Sequence, residues 1–566
     1  MAIVGHAQSL LQKTVSVDAR KQRLSEVLNT ISKQGNFYFS YNGNILKKDS
    51  LVSVTVKNKT VKQTLDGLLG DRYRYTETDK YIIIHTDEKE RSYIISGFIT
   101  DGSTGLALED VSIFERNQLA SAITGKDGYF RLHLKDKGRF NTADITISKG
   151  FYMDTTLSLI KGFDQELSLS ISPQTYSLPD LVVTQNSHME RTWFGKLLVS
   201  SRMRTQNMNL AKFFVDKPYQ FSLIPGLGTH GRMSGQVDNK FSFNLVGGYT
   251  AGTRGLEIGG MFNINKKDAQ YVQIGGFLNV VAGSSKGAQI GGFSNYVQKR
   301  VDGAQVAGFL NKAGNVDGTQ VAGFFNAAFD TVQGAQVAGF INIAEASNVQ
   351  TAGFINIAGD VDGAQVAGFI NVAEEVKGFQ LAGFINLAEK VKGVQFAGFI
   401  NIADSSDCPI GLINIIGNGD ASLGVTVDEL GTTMVALRSG GRILYGLLGV
   451  GTNFHTDSKY PMLATEAGIG AHLPFSKHFR VSAEITYLAL GNIADNQFFD
   501  NAIRLLPAYR IGRFEVFAGP SINFAYYTKD RPETVALDGN VLWRGNTFAG
   551  PSEFRIGYRG GLQFKL

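Results

Sequence analysis

Phe554-Arg-Ile-Gly-Tyr-Arg-Gly-Gly-Leu-Gln-Phe-Lys-Leu566 closes the chain with an unbroken alternation. Successive side chains of a strand point to opposite faces, so Phe554, Ile556, Tyr558, Gly560, Leu562, Phe564 and Leu566 share one face. Arg555, Gly557, Arg559, Gly561, Gln563 and Lys565 share the other. A single strand of this kind fits a soluble sheet as well, but the pattern recurs. Phe479, Val481, Ala483, Ile485, Tyr487 and Ala489 oppose Arg480, Ser482, Glu484 and Thr486; Phe514, Val516, Ala518, Pro520, Ile522, Phe524 and Tyr526 oppose Glu515, Gly519, Ser521 and Asn523. Amphipathic strands of about 9 to 13 residues suit the wall of an outer-membrane barrel.

The connections point the same way. Ser476-Lys-His478 and Gly512-Arg513 are tight turns, whereas Gly491 to Asp500 and Lys529 to Ser552 are long and polar. Short periplasmic turns alternating with longer external loops are the habit of such barrels. The hydrophobic last residue is also what outer-membrane proteins recognised for insertion commonly carry. The expectation is a mostly β chain ending in a β-barrel of the bacterial outer membrane, with outer-membrane lipid around it.

Upstream, the core Gln-x-[Ala/Gly]-Gly-Phe-x-Asn occurs nine times, with Gln at 273, 289, 305, 320, 336, 350, 365, 380 and 395. The spacing is 14 to 16 residues, and divergent copies stand at Glu257 to Asn263 and Ile410 to Asn414. Two architectures fit. If each core is a barrel strand, Val366, Gly368, Ile370 and Val372 meet lipid, while Gln365, Ala367, Phe369, Asn371 and Ala373 face the lumen. The barrel then has about 20 strands. If each repeat is instead one coil of a β-solenoid, equivalent residues stack and the near-identity of the copies is explained. The drift in spacing and the absence of a linker after Lys240 to Tyr249 favour barrel strands, with the solenoid as the alternative.

Composition bounds the rest. The chain has 566 residues, 66 of them Gly and only 11 Pro, with 19% charged and 11% aromatic residues. That bias favours strands and tight turns over a helical enzyme. Lys and Arg number 55 against 50 Asp and Glu, with no basic run, so nucleic acid is not an expected partner. Cys408 is the only cysteine, which excludes an intramolecular disulfide framework and a Cys-based zinc site. No run of 18 apolar residues offers a transmembrane helix. Residues 1–11 read as a signal-peptide remnant or a disordered start.

Two modules precede the repeats. Residues 12–90 read as strand, helix (Leu24, Val27, Leu28, Ile31), strands at Phe37–Tyr41 and Leu51–Val56, a helix from Thr60 to Gly70, then a hairpin through Tyr81-Ile-Ile-Ile-His85. This order, with the Lys57-Asn-Lys-Thr-Val61 turn into the second helix, resembles the STN domain of secretins and signalling TonB-dependent receptors. Residues 93–172 read as all-β. Ile95-Ser-Gly-Phe-Ile-Thr-Asp-Gly-Ser-Thr-Gly105 and Thr124-Gly-Lys-Asp-Gly-Tyr-Phe130 resemble carboxypeptidase regulatory-like domains, with Ala107 where that family usually has proline. The resemblance implies a seven-strand sandwich without peptidase activity. Residues 173–217 read as a linker and 218–566 as barrel, with repeats at 257–414. Asp180-Leu-Val-Val-Thr184 is similar to a TonB-coupling box but reads better as an exit strand, because no plug follows it. The whole resembles plug-less, Bacteroidetes-type relatives of TonB-linked proteins.

Few residues of the sequence carry a pattern of reactive chemistry. The eight His residues (6, 85, 133, 188, 230, 455, 472, 478) form no HExxH or carboxylate-flanked pair. Gly226-Leu-Gly-Thr-His-Gly231 fits GxGxxG, but a strand follows it, so it reads as a barrel-loop glycine cluster. Glu484 with Arg480 reads as lumen electrostatics. No catalytic, cofactor-binding or metal residue is expected, and no cofactor. The expected role is an outer-membrane protein whose periplasmic STN-like domain docks a protein partner. The resemblance makes that partner an anti-sigma-type regulator, in signalling or envelope transport. The alternatives are a passive pore and a surface structural or adhesive repeat protein.

Overall fold

Successive repeats lie side by side and run in the same direction. In a computed structural model of the chain, Gln350 pairs with Gln365, Gln365 with Gln380 and Gln380 with Gln395, all in parallel ladders. The structure describes residues 9–42, 46, 49–70, 73–86, 92–136, 141–174, 189–454, 462–491, 496–527, 540–547 and 549–566. Residues up to Pro173, apart from Asp110–Ser112 and Ser148–Met153, form one compact unit; those two segments and the chain from Gln174 onward form the second.

In the first unit the α+β module follows the expected order: β1 (Thr14–Arg23), α1 (Leu24–Gly35), β2 (Tyr38–Tyr41), β3 (Leu51–Thr60), α2 (Val61–Leu69), β4 (Tyr73–Thr78) and β5 (Tyr81–Thr86). Thr60 caps α2 through a reciprocal pair with Gln63, and Gly70 ends it. Val27, Ile31, Val61, Leu65 and Ile82 are fully buried, the apolar stripe of each helix covering the sheet. The next module has seven strands: β6 (Ser92–Asp101), β7 (Ser112–Glu115), β8 (Ala120–Ile123), β9 (Tyr129–Lys135), β10 (Thr142–Ser148), β11 (Thr155–Ile160) and β12 (Gln165–Ile171). They form sheets of order β11-β10-β7-β8 and β12-β6-β9.

In the second unit, residues 215–416 build the β-solenoid, so the repeats are coils and not barrel strands. Each 15-residue coil turns at the Gly-Phe pair. That bend breaks the period-2 alternation, and the Phe expected on the inner face points outward with its neighbours. Inside the coil containing Gln380, Val376, Gln380, Ala382 and Asn386 are buried. The interior is therefore polar, and it is satisfied by ladders. Each Gln from 289 to 395 donates Nε2–H to the Oε1 of the Gln one coil earlier, at 2.7–3.0 Å. The Asn side chains from 244 to 401 donate the opposite way, to the Asn of the next coil, at 2.8–3.0 Å. From Asn263 onward each Asn also reaches a neighbouring backbone oxygen, as Asn371 does to Leu381 at 2.6 Å. An unpaired buried amide costs about 1–3 kcal/mol, which is why one coil dictates the residue of the next. The repeat also needs its first glycine. Gly378 has φ +131°, and a Cβ there would lie 2.2 Å from the Gly363 oxygen.

Part of the stretch expected as linker is ordered. Helices α3 (Trp193–Leu198) and α4 (Ser201–Asn209) place Val199 and Met203, with Met189, against Tyr249, Ile264, Leu278 and Val280 of the first coils. The TonB-box-like residues 180–184, the signal-like residues 1–8 and residues 492–495, 529–539 and 548 of the two long loops lie outside the described residues. The rest of those loops is partly strand, since Asn496–Ile511 starts before Asp500 and Val541–Thr547 pairs with the last strand.

After the last coil a separate, antiparallel sheet begins. Eight strands, Asp420–Asp428, Thr432–Gly440, Leu444–Asn453, Met462–Pro474, Phe479–Gly491, Asn496–Ile511, Phe514–Tyr527 and Gly550–Lys565, pair in sequence. The first also pairs with the last, Val425 opposite Leu562, which closes a barrel. It has eight strands, not about 20, because the repeats are spent on the solenoid.

Candidate functional site

The barrel concentrates the charged chemistry of the second unit. Alternation sorts every strand: Arg555, Arg559 and Gln563 point in, while Ile556, Tyr558 and Leu562 point out. The same holds for Glu484 between Ile485 and Ala483, and for Arg504 between Ile503 and Leu505. Glu466, Glu484 and Arg559 are 1–2% exposed, whereas Ile485, Ile503 and Leu505 are 52–60% exposed. Across the described wall, the outward positions of the eight strands carry no Asp, Glu, Lys or Arg. The barrel is thus inverted relative to a water-soluble domain, with ions inside and hydrocarbon outside.

Ion pairs span the lumen. Arg559 on the eighth strand pairs with Glu466 on the fourth, diametrically opposite in an eight-strand ring. Arg504 reaches the same Glu466 at 2.6 Å, and Arg438 reaches Glu484 at 2.8 Å, where the Tyr445 hydroxyl also donates at 2.9 Å. Arg480 pairs with Glu515 at 2.8 Å and not with Glu484; the two share a face but sit two pleats apart, and each finds a nearer partner. Toward the loop end Arg555 meets Asp500 at 3.1 Å and Glu553 at 3.3 Å. Just inside the short-turn mouth the free space beside Arg438 and Tyr445 is about 10 Å³. That holds one water at most. Outside it a cleft of about 320 Å³ opens between Arg442, Lys477, His478, Arg480, Arg510 and Asp420.

Aromatic rings mark both rims of the wall. Tyr487, Phe499 and Tyr526 stack near the loop end; near the short turns His478 stacks with Tyr509 and Phe514 meets Phe564 edge-on. From Phe479 to Tyr487 is eight residues, roughly 26 Å of strand and about 20 Å along the axis at the usual tilt.

The remaining motifs dissolve into structure. The Gly226–Gly231 cluster lies at the start of the solenoid, not in a barrel loop, and an Nε2–H of His230 donates to the Tyr219 oxygen at 3.2 Å. Burial, with Lys217 adding to it, lowers the His230 pKa to about 4. His472 sits in the lumen 2.9 Å from the Ser482 hydroxyl. Among the described residues no group of three or more His, Cys, Asp or Glu is arranged to hold a metal ion. Sequence reasoning missed Glu190, whose carboxylate joins Lys266 at 2.8 Å and the Tyr249 hydroxyl at 2.7 Å beneath the helical cap. Glu257, read from sequence only as the start of a divergent copy, takes the Gln position of its coil, is fully buried and accepts from Gln273 at 2.8 Å. Alignment of Glu257-Ile-Gly-Gly-Met-Phe-Asn263 with the repeat is the signal that marks it.

No protein-family model matches the chain, and no curated protein matches it.

Proposed function

We propose that this is an outer-membrane protein in which the eight-strand barrel is the lipid anchor and the upstream modules work on the periplasmic side. The observation that carries the reading is the charge-free outer wall around an ion-filled interior. A closed barrel satisfies every backbone group within itself, as lipid demands. The chain enters the barrel at Asp420 and leaves it at Leu566, whose N–H donates to the Ala421 oxygen, at the same end as the short turns. In an outer-membrane barrel that end faces the periplasm.

The STN-like module is then a docking domain for a periplasmic or inner-membrane protein of the anti-sigma type, in signalling or envelope transport. Its element order supports this, and so does an exposed aromatic pair, Tyr38 and Tyr81, with rings 5.6 Å apart. The passive-pore reading loses support from the lumen-crossing ion pairs. The structural or adhesive reading gains from the solenoid, but a coil edge lined with Phe is poorly suited to water.

Thiol labelling on intact cells tests the reading, in a Cys408→Ser background. Leu542→Cys, beside the loop end, should react with a membrane-impermeant maleimide, and Lys62→Cys should react only after the outer membrane is opened. Labelling of Lys62→Cys on intact cells would overturn it.

A further inference from the structure

The solenoid is as inverted as the barrel, and its apolar surface is concentrated on one edge, with Phe329 the exception at the opposite turn. Around the coil that contains Gln380, outward positions read Glu375, Lys377, Phe379, Leu381, Phe384, Ile385 and Leu387, then Glu389 and Lys390 at the opposite turn. The coils from Gln336 onward repeat this division, with Thr351 the one polar residue in its columns; upstream, Lys312 stands in the column of Leu387. The Gly-Phe edge carries a stack of nine rings, Phe277 to Phe399, with centroids 4.8–5.2 Å apart. They are flanked on one side by Val337, Val366, Leu381 and Phe396, and on the other by Ile341, Ile370, Ile385 and Ile400. Phe309, Phe324, Phe384 and Phe396 are 37–42% exposed. From Val337 to Ile415 these columns hold no charged residue, while Asp330, Glu345, Asp360, Glu374 and Glu389 line the opposite edge. At about 4.8 Å per coil the apolar edge runs for roughly 40 Å, well beyond the scattered apolar residues of a soluble surface.

The junction with the barrel orients this edge. The last coil seats on the outer wall, where outward-facing Ser439 accepts from Asn414. A side chain at Gly446 would collide with the Gly411 and Leu412 oxygens, so the coil's apolar bend lies part-way up the wall. Pro409 instead meets Gly441 in the short turn, and Ile416 lies beside Gly419 and Gly440. Gly446 is in register with Ile469, then Ile485, Ile503, Ile522 and Ile556, a continuous row of the barrel's apolar exterior. The row climbs the tilted wall away from Gly446, so the apolar edge meets the barrel's apolar exterior at the short-turn end of that row.

We propose that the Gly-Phe edge of the solenoid is immersed in the acyl chains of the leaflet that meets the barrel's short-turn end, with the charged edge in water. The occupant is phospholipid. The arrangement needs no water inside the coil, since the Gln and Asn amides donate to one another along the ladders. It rests on the reading of the barrel as membrane-embedded and extends the contact with lipid sideways from it.

Depth-dependent quenching tests this with the full-length protein in phosphatidylethanolamine–phosphatidylglycerol vesicles. In a Cys408→Ser background, Leu381→Cys, Ile385→Cys, Lys377→Cys and Ile503→Cys each carry an environment-sensitive fluorophore, and barrel assembly is checked by gel mobility without heating. At 381 and 385 the emission should shift to the blue, lose intensity to spin-labelled lipid and resist aqueous iodide; at 377 the reverse is expected. Quenching by lipid at 503 but not at 381 or 385 would overturn the proposal and leave the barrel reading intact. Loss of lipid quenching at 503 as well would overturn both. Shielding of 381 and 385 from both quenchers, with a doubled mass in solution, would assign the edge to a second copy and also overturn it.

Discussion

Asn414 donates its Nδ2–H to the backbone oxygen of Ser439, and its own backbone N–H donates to the Ser439 hydroxyl, both at 2.9 Å. The Asn ladder that begins at Asn244 thus ends on the barrel wall, and the barrel caps a coil that would otherwise present an open edge. Asn414→Ala leaves the Ser439 oxygen and the Asn401 amide short of partners and should cost about 1–3 kcal/mol. Ser439→Ala loses one neutral hydrogen bond and should cost about 1 kcal/mol. Urea unfolding followed by circular dichroism reads both, and the barrel should keep its folded gel mobility in each. Equal stability of Asn414→Ala and the parent would deny the cap.

Glu257 is the reverse case, a carboxylate where the ladder would take an amide. Burial raises its pKa above the ordinary 4.5, only partly offset by donors from Gln273, Asn265 and Thr253. A raised folded-state pKa gives stability that is present below the unfolded value and lost as pH rises through the folded one. Glu257→Gln should therefore raise stability at neutral pH, by about 1–3 kcal/mol for relieving one buried charged group. The gain should vanish below pH 4.5, where Glu257 is protonated in both states. Unfolding midpoints across pH check this; a variant no more stable at pH 7 would refute it.

Ile503 is 56% exposed on the outer wall, in a row of isoleucines. If that wall meets lipid, Ile503→Arg should cost about 2–4 kcal/mol near the bilayer midplane, and Asn501→Arg, nearer the loop end, less. On a soluble barrel both changes would fall within about 0.5 kcal/mol. Urea titration in phospholipid vesicles distinguishes the two.

The barrel strands were legible because alternation alone sorts Arg555 from Ile556, and the structure keeps each face as read. The repeat was legible as a period but not as a direction. Gln365 to Asn371 has the same pattern whether the next copy runs parallel or antiparallel to it, and only the two-residue bend at Gly368 and Phe369 decides. That bend carries no turn signature, since its glycine serves the close stacking of coils. The partner of Glu484 was hidden for another reason. Alternation puts Arg480 on its face, but the curvature of a small barrel brings Arg438, three strands away, nearer.

Glu484 accepts from Arg438 and Tyr445 in a buried lumen, and removing its charge strands the guanidinium. Glu484→Gln should cost roughly 3–5 kcal/mol, the usual penalty for breaking a buried pair. With the Arg559–Glu466 and Arg504–Glu466 pairs intact, the lumen stays crossed. Planar bilayers holding either protein should therefore show no steady conductance. A stable ohmic current from the parent would revive the pore reading.

Removal of one coil separates the roles of the two β architectures. Deleting Val376 to Lys390 joins Glu375 to Val391, and Val391 then takes the register on Val361 that Val376 now holds. Gln395 meets Gln365, Asn371 meets Asn401 and Phe399 stacks on Phe369, so both ladders and the ring stack remain continuous. Each coil contacts only its neighbours, which makes the loss local. The barrel closes through its own first and last strands and is untouched by the change. The one-coil deletion should therefore assemble in the membrane as well as the parent, and a two-coil deletion should behave the same. Failure of the single deletion with rescue by the double one would show that each repeat reverses the chain, and the parallel solenoid would have to be abandoned.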